Sequence, residues 1–239
     1  MPPPENNERL RNKILAALSR TEWTRLSQDA AIVFLNLKFL NYEAGGKIDY
    51  VYFPIEGVVS LMSMMRGNLA LEVATVGNEG MVGFAAFLGG MTTPVRAIAQ
   101  IPGKAVKITV DAFREEISRG GRLHELLNLY TQALFTQIAQ GNACNNVHSV
   151  EKRCARWLLT THDRVDSDEF SLTQEFLAQM LGVRRATVTQ VAIAFQKAGI
   201  IVYRRGSIKI LKRKQLEGLS CECYQIIRDE YERLLNVEW

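Results

Sequence analysis

The segment from Phe170 to Leu211, FSLTQEFLAQMLGVRRATVTQVAIAFQKAGIIVYRRGSIKIL, leaves the chain little local freedom. Ser171 or Thr173 can cap a first helix through a hydroxyl, and Ser171 with Gln174 fits the capping-box spacing. Leu177, Ala178 and Leu181 supply its inward face, and Gly182 stands where a left-handed turn would end it. A second helix is expected from about Arg184 to Lys197, with Val188, Val191, Ala192 and Phe195 inward at three- and four-residue steps. Its opposite face shows Arg185, Ala186, Thr189 and Gln190. β-Branched residues on either side of Gly206-Ser207 then predict a hairpin with Arg204 and Arg205 at its tip. The pattern is a helix-turn-helix followed by a basic wing.

Charge is concentrated on the same segment. Between Ser171 and Gln215 lie nine Lys or Arg (184, 185, 197, 204, 205, 209, 212, 213, 214) and one acid, Glu175, leaving +8. The whole chain carries only +4, so the remainder is net acidic. Duplex DNA is the expected partner, because phosphate contacts supply much of such affinity. Arg185 is placed to make a bidentate contact to guanine, with Gln190 suited to adenine and Thr189 supporting. Thr173 and Gln174 are expected at the phosphate backbone, Arg204, Arg205 and Ser207 at phosphates or the minor groove, and Arg184, in the capping place of the second helix, is counted with the DNA-binding residues.

At 239 residues and 47% apolar, the chain can bury two modest cores. No run approaches the roughly 18 to 20 apolar residues of a membrane span, and MPPPENNERLRNK lacks a signal peptide's apolar core. A cytoplasmic protein with no membrane role is expected. Four cysteines (144, 154, 221, 223) are scattered, and Cys221-Glu-Cys223 is C-x-C, not the C-x-x-C of zinc knuckles. The three histidines (124, 148, 162) stand apart in sequence, so no metal site is expected. GxSxG, HExxH and GxxxxGK[ST] are missing, and Glu72 and Glu79 have no His or Lys companion nearby. No catalytic residues are expected, and the chain is not read as an enzyme.

Upstream, residues 1–29 read as short helices: Leu10, Ile14 and Leu18 recur every four residues, and Thr21 can cap a helix carrying Trp23 and Leu26. The prolines at positions 2 to 4 mark a frayed start. Residues 30–121 form a second unit. Its short β-rich runs, separated by GG, RGN, GNEG and PGK, suggest a β-barrel or jelly roll. Asp111 can cap a short helix that closes the unit at Gly120-Gly121. In 122–148 Leu123, Leu127, Tyr130, Leu134 and Ile138 follow a 4-3-4-4 spacing, close to a heptad seam. Such a stripe serves either a second copy of the helix or the chain's own barrel; the two-fold pairing is favoured here. Residues 149–239 carry the DNA module and end in a helix from about Arg213 to Leu235, acidic in its second half.

LTQEFLAQMLGVRRATVTQVAIAFQKAGII resembles, without a gap, the winged helix-turn-helix of the Crp/Fnr family of bacterial transcription regulators. The block from Val51 to Ile108 resembles that family's cyclic-nucleotide-binding β-roll, with glycines 57, 77, 80, 83 and 89 where the roll turns. The resemblance implies an α+β chain: an amino-terminal β-roll (double-stranded β-helix or jelly roll), a long dimerisation helix and a carboxy-terminal winged helix-turn-helix. It also implies a homodimer, RNA polymerase as a further partner, and a small-molecule effector that rotates the DNA modules about a hinge near His148-Ser149. There are departures. Ala186 stands where the family often has Glu, and Gln190 where it has a second Arg. Ala186 offers no acceptor for a cytosine amino group, so the family's familiar half-site does not carry over by resemblance alone.

The sensor departs further. In the family's nucleotide binders a Glu after the cassette glycine holds the ribose, and an Arg-Ser pair about ten residues later holds the phosphate. Here Gly83 is followed by Phe84, the ungapped counterparts of Arg-Ser are Pro94-Val95, and Arg96 is displaced by two. A pocket lined by Gly83, Phe84, Ala85, Val95 and Arg96 would be apolar. Three readings stand: cyclic AMP with Arg96 swung inward, a different and more apolar effector, or a roll that binds nothing. A rival of another class is a ligand-binding module that controls a partner protein without touching DNA.

Overall fold

In the computed structural model, residues 6–37, 40–66 and 70–236 are described. The prolines at positions 2 to 4, Lys38-Phe39 of the first β-rich run and the turn at Gly67-Asn68 lie outside them.

The amino-terminal segment is three short helices: α1 Asn6–Arg9, α2 Lys13–Ala16 and α3 Arg20–Ser27. The cap of α3 is Ser19, not Thr21. Its hydroxyl accepts from the Glu22 amide while the Glu22 carboxylate accepts from the Ser19 amide, satisfying two free helix-end groups at once. Leu10 is exposed, whereas Ile14 and Leu18 are buried.

Among the described residues, seven strands then form the roll: β1 Ala30–Leu35, β2 Leu40–Tyr42, β3 Tyr50–Pro54, β4 Val58–Met64, β5 Ala70–Val76, β6 Val95–Ile101 and β7 Gly103–Thr109. They pair antiparallel in two sheets, ordered β1-β7-β3 and β2-β6-β4-β5. Two facing sheets bury Val51, Phe53, Val59, Leu61, Val76, Ala97, Ala99, Val106 and Ile108 between them. Thr109, not Asp111, caps helix α4 (Val110–Ser118) by accepting from the Ala112 amide.

Helix α5 (Arg122–Val147) crosses the roll and ends at His148, whose extended backbone leads to Ser149, the cap of α6 (Val150–His162). The carboxy-terminal module follows with β8 Glu169–Ser171, α7 Gln174–Leu181, α8 Arg185–Lys197, β9 Ile201–Arg204 and β10 Ser207–Ile210. Its core gathers Trp157, Leu158, Phe170, Leu177, Leu181, Val188, Phe195, Ile208 and Leu216. The expected final helix is broken into α9 (Arg213–Leu219) and α10 (Cys223–Leu235) at Ser220–Glu222. Ile227, Tyr231 and Leu235, one helical turn apart, carry α10 away from the DNA module and into the core of the roll beside α5.

The two units are docked. Arg164, just past α6, pairs with Glu79 in the turn after β5 at 2.9 Å, both side chains buried, and donates to Thr75 Oγ1. Trp157 Nε1 of α6 donates to Glu72 Oε1 of β5 at 2.8 Å. Glu79 thus has an arginine partner that its sequence neighbours did not disclose.

Candidate nucleic-acid interface and sensory module

Thr173, rather than Ser171, caps α7: its Oγ1 accepts from the Phe176 amide at 3.1 Å, while Ser171 belongs to β8. Gly182 ends the helix at φ +64°, and the Val183 amide returns to the Ala178 carbonyl. A side chain at Gly182 would be strained in that conformation and would also press on Leu71. The turn lets α8 cross α7, and Thr189 Oγ1 lies 2.7 Å from Gln174 Oε1, linking the first turns of the two helices.

Arg184 is the α8 N-cap residue, and its guanidinium, which has no acceptor for the helix-end amides, makes no cap bond. Arg184, Arg185, Ala186 and Gln190 are all exposed. Thr189 and Gln174 are half-buried and bonded to each other. The wing lies against the same corner. The Leu172 amide donates to the Gly206 carbonyl at 2.7 Å, Tyr203 Oη donates to the Leu172 carbonyl, and Arg185 is close enough for its charge to act on the Tyr203 phenol. Arg185, the amino end of α7 and the wing therefore share one surface.

Two expectations about this surface are corrected, and the wing gains a neighbouring strand. The hairpin turn is Arg205-Gly206, not Gly206-Ser207: Arg204 pairs with Ser207, and Arg205 and Gly206 take φ of 47° and 80°. Positive φ at both positions matches the twist of the flanking strands, although it is costly for arginine. Next, β8 is a third strand beside β10, and its Glu169 accepts from Ser207 Oγ at 2.8 Å. That carboxylate sits next to the wing and binds the hydroxyl assigned to phosphate. Finally, Arg213 faces inward to Asp163 at 2.6 Å, to Glu217 at 2.9 Å and to Tyr224 Oη. The other eight cations of the window are exposed, and none has a carboxylate at ion-pair distance among the described residues.

In the roll, Gly83 (φ +95°) opens a short 3-10 turn, Phe84–Ala86. Phe84, Ala85 and Val95 are half-buried against the core. Arg114 of α4 ties this turn down by donating to the carbonyls of Ala86 and Gly90. Arg96 points to Glu43, 3.0 Å away, so the one cation expected to swing toward a phosphate is already paired.

A cavity of about 390 Å³ opens elsewhere, between β5, α5, α6 and α7, lined in part by Val73, Phe135, Ile138, Arg156, Trp157 and Met180. Glu72 also lines it. Burial pushes its carboxyl up to about 7, against hydrogen bonds from Ser60 and Trp157 and the charges of Arg156 and Arg164, which act the other way. Ser60 Oγ lies 2.7 Å from Glu72 Oε2 and 2.5 Å from Gln100 Oε1. One hydroxyl proton cannot serve both, so either a protonated Glu72 or a Gln100 amide turned to donate from Nε2 completes the chain of bonds.

The stripe on α5 meets its own chain. Leu123, Leu127, Tyr130 and Leu134 are at most 1% exposed, packed on the roll and α10, and Tyr130 Oη donates to the Met81 carbonyl. Ile138 is half-buried. These side chains already have partners, so they cannot form an open dimer seam. The outward face runs through Asn128, Gln132, Phe135, Ala139, Asn142 and Asn146, a 4-3-4-3-4 spacing, with Phe135 71% exposed.

The expectation of scattered thiols also fails. Cys144, Cys221 and Cys223 lie together with His148, although Cys154 stays apart in the DNA-module core. C-x-C spacing concealed the group because its other two members come from another helix, 77 residues away.

Together, fold and surface define a DNA-binding protein built from a cyclic nucleotide-binding type of roll and a winged helix. Residues 42–119 match the family model for the cyclic nucleotide-binding domain, and residues 152–219 match the one for the Crp-like helix-turn-helix domain. The chain belongs to the Crp/Fnr family of transcription regulators. Among solved structures, FixK2 from Bradyrhizobium japonicum is 16% identical, with a TM-score of 0.69 over 80% of this chain and 98% of that one. A putative Crp/Fnr transcriptional regulator from Eubacterium rectale is 17% identical, with a TM-score of 0.64 over 86% and 96%. The c-di-GMP responsive global regulator CLP of Xanthomonas campestris is 14% identical, with a TM-score of 0.63 over 80% and 99%. At these identities the likeness is one of fold. No curated protein matches the sequence. Among the described residues no helix is long and apolar enough to cross a membrane.

Proposed function

We propose that the chain is a dimeric, sequence-specific regulator that reads the major groove with the first turns of α8 and grips the backbone with its wing. The observation that carries this is the exposed cationic corner formed by Arg184, Arg185, Arg204 and Arg205, which have no carboxylate at ion-pair distance among the described residues. Arg185 reads guanine, Gln190 reads adenine and the exposed Ala186 methyl packs on a thymine methyl. Thr173, Gln174 and Thr189 hold the two helices in register and set the depth of α8 in the groove. Ser207 is held by Glu169 and orients the wing.

The second subunit pairs along the outward face of α5, centred on Phe135, which sets the spacing of half-sites. The effector site is the junction cavity, whose volume falls within the roughly 300–1,000 Å³ usual for small-molecule sites. A ligand there touches the roll, the outward face of α5 and both α6 and α7 of the DNA module. It shifts their arrangement to the extent that it binds one arrangement more tightly. Gly83, Phe84, Ala85, Val95 and Arg96 act as the packed wall of the roll, and cyclic AMP in the usual cassette is disfavoured by the Arg96–Glu43 pair.

Retention of genomic fragments by the purified protein, measured across a salt series, tests the reading. Salt-sensitive enrichment of a two-fold repeat is expected. Arg204→Ala with Arg205→Ala should weaken binding on all sequences and flatten the log–log salt slope by about 2. Absence of retention at low salt would sink the proposal.

A further inference from the structure

Cys144 occupies the last turn of α5, and His148 follows one turn later at its carboxyl end. Cys221 lies in the bend between α9 and α10, and Cys223 opens α10. The three Sγ atoms and a ring nitrogen of His148 all lie within 4.8 Å of one another. Cys144 Sγ is 3.5 Å from Cys221 Sγ, and Cys223 Sγ is 3.5 Å from His148 Nδ1. A tetrahedral ion with metal–sulfur bonds of about 2.3 Å and metal–nitrogen bonds of about 2.0 Å separates its ligand atoms by roughly 3.5–3.8 Å. The Cys144–Cys221 and Cys223–His148 separations, both 3.5 Å, match that figure, and the outer bound of 4.8 Å leaves the remaining pairs about 1 Å to close around an ion. The sulfur–sulfur spacing is far from the roughly 2.05 Å of a disulfide, and a cluster of several irons would hold its thiolates further apart.

The surroundings point the same way. All three thiols are buried and form a small core of their own. Packing alone would favour an apolar fourth neighbour, yet the fourth is an imidazole. Its other nitrogen, Nε2, lies 3.3 Å from Glu222 Oε1, an outer carboxylate that fixes the tautomer and turns Nδ1 toward the sulfurs. Gln140 Nε2 donates to Cys223 Sγ at 3.2 Å, the kind of bond a thiolate accepts well.

We propose that Cys144, His148, Cys221 and Cys223 form a tetrahedral Cys3His site for a single zinc-class divalent ion. The ion staples the end of α5 and the hinge at His148-Ser149 to the bend that launches α10. It holds α10 on the roll and restrains the pivot of the DNA module. Thiol protons leave as the ion binds. The site stands independently of the DNA-binding reading, since its test involves no nucleic acid.

The full-length protein, purified reduced and without chelator, is assayed for metal and then titrated with cobalt(II) after zinc removal. Roughly one zinc per chain is expected, with sulfur-to-cobalt charge transfer and the intense visible bands of tetrahedral cobalt. Cys221→Ser and His148→Ala should lose or shift those bands, whereas Cys154→Ser should keep them. The native titration decides the question even where a cysteine variant fails to fold. A reduced native chain that gives no tetrahedral cobalt spectrum overturns the site. Iron accompanied by inorganic sulfide, a Cys144–Cys221 disulfide in the metal-free native protein, or an unchanged spectrum in His148→Ala does so too.

Discussion

Arg185 stands exposed at the start of α8, beside Tyr203 of the wing. One bidentate guanine contact is worth about 1–3 kcal/mol of discrimination. Arg185→Ala should therefore lose that much on the preferred site and much less on unrelated DNA. Competition binding with single-base operator variants measures it, and equal losses on every sequence would reassign Arg185 to phosphate. The exposure of Arg185 and Gln190 on one face of α8 was legible from type and spacing. The fate of Arg213 was not, because Asp163 and Tyr224 approach it only after α6 and α10 pack. The turn was misplaced by one residue since Gly206-Ser207 and Arg205-Gly206 both satisfy short-range turn rules. Pairing of β10 with β8 as well as β9 selects between them.

At the scale of the element, α5 shows how periodicity yields a face without naming what covers it. Leu123, Leu127, Tyr130 and Leu134 do form a stripe, and α10 together with the roll buries it. Leu134→Asp should consequently unfold the chain, placing an unpaired carboxylate in an apolar core at a cost above about 4 kcal/mol. Phe135→Asp changes an exposed neighbour and should preserve the melting temperature while shifting sedimentation from dimer to monomer. A folded, monomeric Leu134→Asp protein, or a Phe135→Asp protein that remains a dimer, would return the interface to the original seam. Caps tell a similar story: Ser19 and Thr109 displaced Thr21 and Asp111. Several hydroxyls and carboxylates within two residues can each cap in isolation, and the strand or loop entering the helix determines which one has the extended backbone a cap requires.

For the molecule as a whole, the junction between roll and DNA module is polar as well as apolar, with Glu72, Trp157, Ser60 and Gln100 in one chain of bonds. Glu72 binds its proton more tightly in the folded chain, its carboxyl rising from the ordinary 4.5 to about 7. The associated stability is complete below the ordinary value and is lost as pH climbs through about 7. Glu72→Gln should remove this loss, worth on the order of 3 kcal/mol, and melt higher than the native protein at alkaline pH. Thermal melts across pH check it, with Trp157 fluorescence reporting the junction; parallel curves for the two proteins would mean Glu72 titrates normally.

Local order in this chain needs only near neighbours. Glycine placement, helical spacing and alternating β-rich runs act over a few residues, so the β-roll, the long helix and the winged helix could be anticipated from them. Occupancy of a surface is different, because it depends on which distant segment arrives there. The return of α10 onto α5, the Arg96–Glu43 pair, and the meeting of Cys144 and His148 with Cys221 and Cys223 are all contacts across long stretches of chain. Close packing fixes such contacts only once every element is in place.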